Sequence, residues 1–219
     1  MRTAISTTLL LLLILCTLPF AFHASQLGIR GLGSGADTSR IFTPNAPLTN
    51  FSIFSHMLVG AAITVLAPLQ LSLWLRTKNP KTHRAIGRIL VFLAIPTALG
   101  GFGYILLRGT IGGPAMDAAF ALYGVFLLTA AFQTIRFASA RNFTRHNRWA
   151  VRFFFLIIGS WIYRVHYGLW FAIIWQTGHT STFDGSFDLL QNWAFFIPYL
   201  LILELVFIRR DGPFWARNA

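Results

Sequence analysis

The sequence predicts an all-α integral membrane protein: a six-helix transmembrane bundle, or five helices if the first segment is a cleaved signal. Three observations carry that prediction. Of the 219 residues, 55% are hydrophobic and only 11% are charged; mean hydropathy is +0.62. Soluble domains carry about 25% charged residues. Apolar runs recur at 4–22, 51–75, 86–107, 116–137, 150–172 and 188–209, each near the roughly 20 residues that a helix needs to cross hydrocarbon. Lysine and arginine gather at alternate junctions between these runs, as topology-setting residues do. Backbone polar groups in lipid must be paired within the segment, so helix is the expected form of every run.

The first run lies within "MRTAISTTLLLLLILCTLPFAFHAS", with a basic start, an apolar centre and small residues near its end. These are signal-peptide traits. No clean A-x-A site follows and the run is long enough to span, so residues 1–22 are expected to stay as a helix. Cys16 within it is the only cysteine. That excludes a disulfide within the chain and a C-x-x-C-H haem attachment, leaving a small apolar helix residue. Residues 23–50, rich in Gly, Ser, Thr and Pro, read as an irregular outer loop, 51–209 as the bundle and 210–219 as a tail. The outer loop 173–187 is polar and ends near His179, Asp184 and Asp188. A histidine with two carboxylates could hold a metal, but the spacing matches no ligand motif, and a solvated loop is the expected form.

The net charge of +12 is not a nucleic-acid signature, because the basic residues lie beside apolar runs and form no arm or recognition motif. Arg2, the 76–88 and 136–152 regions and the tail together carry fourteen of the eighteen Lys and Arg residues. The alternate junctions carry Arg30, Arg40 and Arg108, and Arg164 lies inside the fifth run. This asymmetry predicts a multi-pass protein of the cell inner membrane, with both basic loops, the retained amino terminus and the carboxyl tail cytoplasmic.

Along the bundle, "HMLVGAAITVLAPLQLSLWLR" is followed by "HRAIGRIL", then by "HNRWAVRFF", then by an arginine in the next helix. This order, over roughly residues 50–170, resembles a bacterial family of predicted membrane proteins catalogued as domain of unknown function 2306. The resemblance covers His56, Gln70, Arg76, His83, Gly87, Arg88, His146, Trp149, Arg152 and Arg164. "HNRWAVR" departs from the family's HR-x-W-M-x-R form at Asn147 and Ala150. The resemblance implies a multi-pass fold and carries no activity with it.

The histidines fall at two depths. His56 and His166 both lie roughly 7–9 Å inside the outer boundary by helical rise, with Gly100, Gly101 and Gly103 at similar depth. Two facing imidazoles beside glycine are a candidate axial pair for b-type haem. His83 and His146, at the inner ends of the third and fifth runs, form a candidate second pair. The plan would then resemble six-helix, two-haem b-type cytochromes that carry electrons across membranes to a redox partner. Against two haems, His146 and His166 are 20 residues apart, about 30 Å on a continuous helix. Interfacial histidines also serve simply as bonds between helices.

Arg84 and Arg88, like Arg148 and Arg152, are four apart and share a helix face. Positive charge at a helix amino terminus opposes the macrodipole by about 0.3–1 kcal/mol per residue. Anionic lipid headgroups, a bound small anion or haem propionates would each offset that. Arg164 should face the bundle interior and a partner; Asp117 is the candidate by depth. Glu204, Gln70 and Gln133 form a polar layer nearer the inner end, read as interhelical glue or a proton path. No nucleophile triad, phosphate loop or H-E-x-x-H occurs. Beside the redox reading stands a non-enzymatic protein that binds anionic lipid or a small anion, with transport as a variant. No inverted repeat of broken helices supports transport. The two His/Arg helix starts run in the same sense and fit an internal duplication.

Overall fold

The computed structural model describes residues 7–33, 39–175 and 177–211. No strand occurs among them; the helices are α1 (Thr7–Leu32), α2 (Pro47–Leu66), α3 (Leu73–Lys78), α4 (Pro80–Leu107), α5 (Gly113–Ser139), α6 (Phe143–Ile157), α7 (Gly159–Ile174), α8 (Ser186–Ala194) and α9 (Ile197–Asp211). Five stretches are long and apolar enough to cross a membrane: Thr7–Leu32, Pro47–Leu71, Pro80–Leu107, Gly113–Ser139 and Ser186–Arg210. The all-α membrane class read from composition is the class observed. Large apolar side chains face outward all along these helices, including Leu15, Phe22, Phe92, Leu106, Phe132 and Ile173. That exterior suits lipid rather than water as solvent.

The helix boundaries have local causes. A turn of 3-10 helix at Ala67–Leu71 closes α2 at Pro68, and Ser72 then caps α3 by accepting from the Leu75 N–H at 3.3 Å. Asn79 caps α4, accepting from the Thr82 N–H at 3.4 Å, and Pro80 occupies the first helical position. Asn142 caps α6 in the same way, accepting from the Arg145 N–H at 3.0 Å. Asparagine is a strong helix initiator and proline suits the first turn. In both helices a histidine follows the cap by four residues and donates its own N–H to the cap carbonyl, His83 to Asn79 and His146 to Asn142. The two His/Arg starts are therefore one local structure used twice.

Two boundaries differ from the expected runs. α1 continues to Leu32, ten residues past the expected end at 22. Its stripe of Thr17, Ala21, Ala24 and Gly28 packs on α2, and a Cβ at Gly28 would lie 2.9 Å from the Phe54 carbonyl oxygen. Small residues at this spacing let two backbones approach closely. The apolar run 150–172 forms as two helices, α6 of 15 and α7 of 16 residues, rather than as one. At the join, the Tyr123 hydroxyl donates to the Leu156 carbonyl, and a Cβ at Gly159 would lie 2.8 Å from the Tyr123 oxygen. A side chain inserted beside the backbone ladder is a recognised cause of a helix break.

The core joins α5, α6 and the α8–α9 turn. Tyr123 and Phe195 rings meet at 5.0 Å, Phe195 and Phe196 at 4.9 Å, and Phe120 and Tyr163 at 5.5 Å. Leu127, Ala130, Ala131, Phe153 and Leu156 fill in beside them. α7 reaches α1 through side chains: the Trp161 indole donates to the Cys16 carbonyl at 3.0 Å, and Arg164 sits 4.7 Å over the Phe20 ring.

Candidate functional site

The starts of α4 and α6 share one end of the bundle, the basic end, where His83 and His146 come within electrostatic reach. Here Gln70 donates its amide to the His83 carbonyl at 3.1 Å. A Cβ at Gly87 would lie 2.8 Å from that same amide nitrogen; glycine leaves the room. The Gln70 Oε1 and His83 Nδ1 atoms are buried with no hydrogen-bond partner. His146 lies within electrostatic reach of His83, and its Nδ1 donates to the Thr134 carbonyl at 3.0 Å. A histidine so anchored keeps its Nε2 lone pair available.

The basic-end arginines divide. Arg152 forms an ion pair with Glu204 at 2.5 Å and lies over the Trp149 and Phe207 rings at 4.7 and 4.9 Å. Arg148 is buried and lies 5.5 Å over Phe207. Both are thus engaged by α9, and Glu204, expected in a polar layer, serves as the counter-ion of Arg152. Arg84 and Arg88 are exposed on the first turns of α4, as headgroup contacts would be.

Toward the opposite end, the expected axial pair is not brought together. His56 packs against α4: its Nδ1 donates to the Thr97 carbonyl at 2.6 Å, and Cβ atoms at Gly100 and Gly101 would lie 2.9 Å from its Cβ and 3.3 Å from its Nδ1. The glycines make room for this imidazole itself. His166 faces α8 and α9, with Nδ1 3.0 Å from Gln191 Oε1 and Nε2 2.8 Å from the Tyr199 hydroxyl. Both of its ring nitrogens are occupied, so it offers no lone pair to iron without losing one partner. The donor set does not fit a haem between His56 and His166.

The same end holds an open, mainly aromatic pocket of about 320 Å³, lined by Tyr163, Arg164, Tyr167, Phe171, His179 and Phe183. Arg164 donates to the Ser160 carbonyl at 2.9 Å, and among the described residues it has no carboxylate partner. Asp117, its expected partner, accepts instead from the Thr110 N–H at 2.6 Å. Behind the cavity Asp188 is fully buried. It accepts from Tyr167 Oη at 2.6 Å, His179 Nδ1 at 2.8 Å, Thr180 N at 2.9 Å and Gly185 N at 3.1 Å. The Gly185 bond caps α8, since Asp188 is its third residue. His179 and Asp188, which the sequence suggested as residues of a solvated loop, form a pair in which Asp188 is buried and His179 half-buried. Asp184 is the exposed member: Thr180 and Thr182 hydroxyls donate to it at 2.5 and 2.9 Å and hold its carboxyl below the usual carboxylate range. Among the described residues no group of three metal-ligating side chains forms.

A family model described as "Predicted membrane protein (DUF2306)" matches residues 53–207. No curated protein and no solved structure matches the chain.

Proposed function

The chain belongs to the DUF2306 family of predicted membrane proteins, and from that premise we propose that it is a binding protein for an anionic amphiphile, held by Arg164 inside the membrane. One observation carries this reading. An arginine at membrane depth requires a counter-charge, and among the described residues Arg164 has none while it lines a cavity walled by aromatic rings. A negatively charged head against the guanidinium, with an apolar body toward the bundle surface, satisfies both. Arg84 and Arg88 would meet lipid headgroups at the basic end, each contact worth about 1 kcal/mol. In this reading the basic end is cytoplasmic, in a bacterial inner membrane.

Native mass spectrometry of protein purified in uncharged detergent tests the reading. Wild type should retain anionic amphiphile, Arg164→Gln should lose it, and Arg164→Lys should retain part. An unchanged complement in Arg164→Gln would overturn the assignment.

A second reading has its own support at the basic end. The unpartnered His83 Nδ1 and the anchored His146 suit paired axial ligands of a haem b, with Arg84 and Arg88 toward its propionates. When bound, such a group would supply one-electron redox chemistry. A sharp reduced alpha band in haem-replete protein, lost in both His83→Ala and His146→Ala, would establish it; a colourless protein would sink it.

A further inference from the structure

We infer that the Arg164 cavity takes a long-chain monocarboxylate together with one proton, and that the proton is held by the His179–Asp188 pair. This rests on the Arg164 reading and adds a ligand class and a regulation to it. The geometry of His179 carries the step. Its Nδ1 proton is committed to Asp188 at 2.8 Å, so its Nε2 lone pair is the ring's remaining polar group. The ring itself lines the cavity with Arg164. Its orientation is fixed on three sides, with Phe171, Phe183 and Tyr167 ring centroids at 5.1, 5.0 and 5.6 Å. A buried carboxylate behind an imidazole fixes its tautomer and stabilises the imidazolium once it forms.

The balance of charge explains why a proton is needed. An anion entering the cavity neutralises Arg164, but Asp188 remains a buried negative charge whose hydrogen-bond donors are Tyr167, the Thr180 and Gly185 amides and the His179 Nδ1–H. Proton uptake at His179 Nε2 gives Asp188 its own counter-ion, so that Arg164 pairs with the ligand and imidazolium pairs with Asp188. The one bond made is the N–H at His179 Nε2, its proton leaving a solvent hydronium; the ligand itself is held without covalent change, and its carboxylate and one solvent proton enter together. The titratable groups around His179 are Asp188 of α8 and Tyr163, Arg164 and Tyr167 of α7, with Asp184 further along its own loop bonded to Thr180. A volume of about 320 Å³ suits a carboxylate and the first part of one alkyl tail.

The experiment is calorimetric titration of the full chain in maltoside with dodecanoate and with dodecanesulfonate. Measurements run from about pH 5.5 to about pH 8.5, the window in which imidazole titrates. The sulfonate stays ionised throughout, so its pH dependence reports the protein alone. Uptake of one proton requires wild-type affinity for both probes to fall with rising pH, by up to tenfold per pH unit where free and liganded protein differ by one bound proton, and to level off at the alkaline limit. His179→Gln should flatten the profile while still binding; Asp188→Asn should give a flatter profile than wild type. Arg164→Gln should abolish binding at every pH. Arg164-dependent binding with the same pH profile in His179→Gln overturns the proton coupling and leaves the Arg164 reading standing. No binding of either probe by wild type, or equal binding by Arg164→Gln, overturns both. Circular dichroism of each variant at the assay temperature confirms that a lost signal is not lost fold.

Discussion

A carboxylate with no exposed surface must have its lone pairs accounted for, and Asp188 has them filled by a histidine, a tyrosine and two backbone amides. Removing it leaves those donors without an acceptor, and each orphaned buried donor costs about 1–3 kcal/mol. Asp188→Ala is therefore expected to lower stability by about 3–5 kcal/mol, read as a clear fall in the detergent-solubilised melting temperature. An unchanged melting temperature would mean that the loop does not depend on this residue. Asp184 works the same loop from the water side. Its folded pKa is depressed by the Thr180 and Thr182 hydroxyls, so its contribution is complete above the unfolded carboxylate pKa and is lost as pH falls through the folded value. Thr180→Val should move the Asp184 titration upward toward the ordinary carboxylate range, measured by carbon NMR of labelled side-chain carboxyls; no upward movement would remove Thr180 as the cause.

At the scale of elements, the seam between α2 and α4 sets where His56 can sit. A Cβ added at Gly100 would lie 2.6 Å from the Ser52 carbonyl oxygen and 2.9 Å from His56 Cβ. The obstacle is backbone, which cannot swing aside as a side-chain tip can. Gly100→Ala should cost about 1–3 kcal/mol as the helices are forced apart. Gly168 of α7 is the control, since a Cβ there meets nothing within 4 Å. Gly168→Ala should be neutral or stabilising by up to about 1 kcal/mol, because glycine inside a helix carries extra unfolded-state entropy. Parallel thermal melts of the two variants compare the predictions, and equal shifts would mean that the seam is looser than the contacts indicate. The twin starts of α4 and α6 belong to this scale too. Asn79 and Asn142 cap their helices and place His83 and His146 one turn in, which is why a short sequence pattern was enough to pair those histidines by position.

Across the whole molecule, what the sequence reveals is what the membrane imposes. Spans must be long and apolar, so five of the expected runs appear as long helical stretches. The break between α6 and α7 was not legible, because its cause is the Tyr123 hydroxyl, which reaches Leu156 from 33 residues away. Arg164 was legible as a violation of hydropathy, but its surroundings were not. The His179–Asp188 pair is made by a loop whose turns, at Trp175, Gly178 and Phe183, adopt left-handed backbone, and no period announces such a fold. The depths of His56 and His166 are readable from helical rise, while their ring partners, the Thr97 carbonyl for one and Gln191 and Tyr199 for the other, are not. The proposed orientation rests on charge at this same scale. The basic end carries most of the lysines and arginines, whereas Arg108 at the other end spends its guanidinium on the Arg40 and Ile41 carbonyls and the Tyr104 hydroxyl. Positive loops are retained on the cytoplasmic side. Cys16 is the only cysteine, so a Cys16→Ser background leaves single reporters unambiguous. In intact cells an impermeant maleimide should label Ser181→Cys, in the loop before α8, and should label Thr77→Cys, in α3 at the basic end, only after permeabilisation. The reverse pattern would place the basic end outside and turn the Arg164 cavity toward the cytoplasmic leaflet.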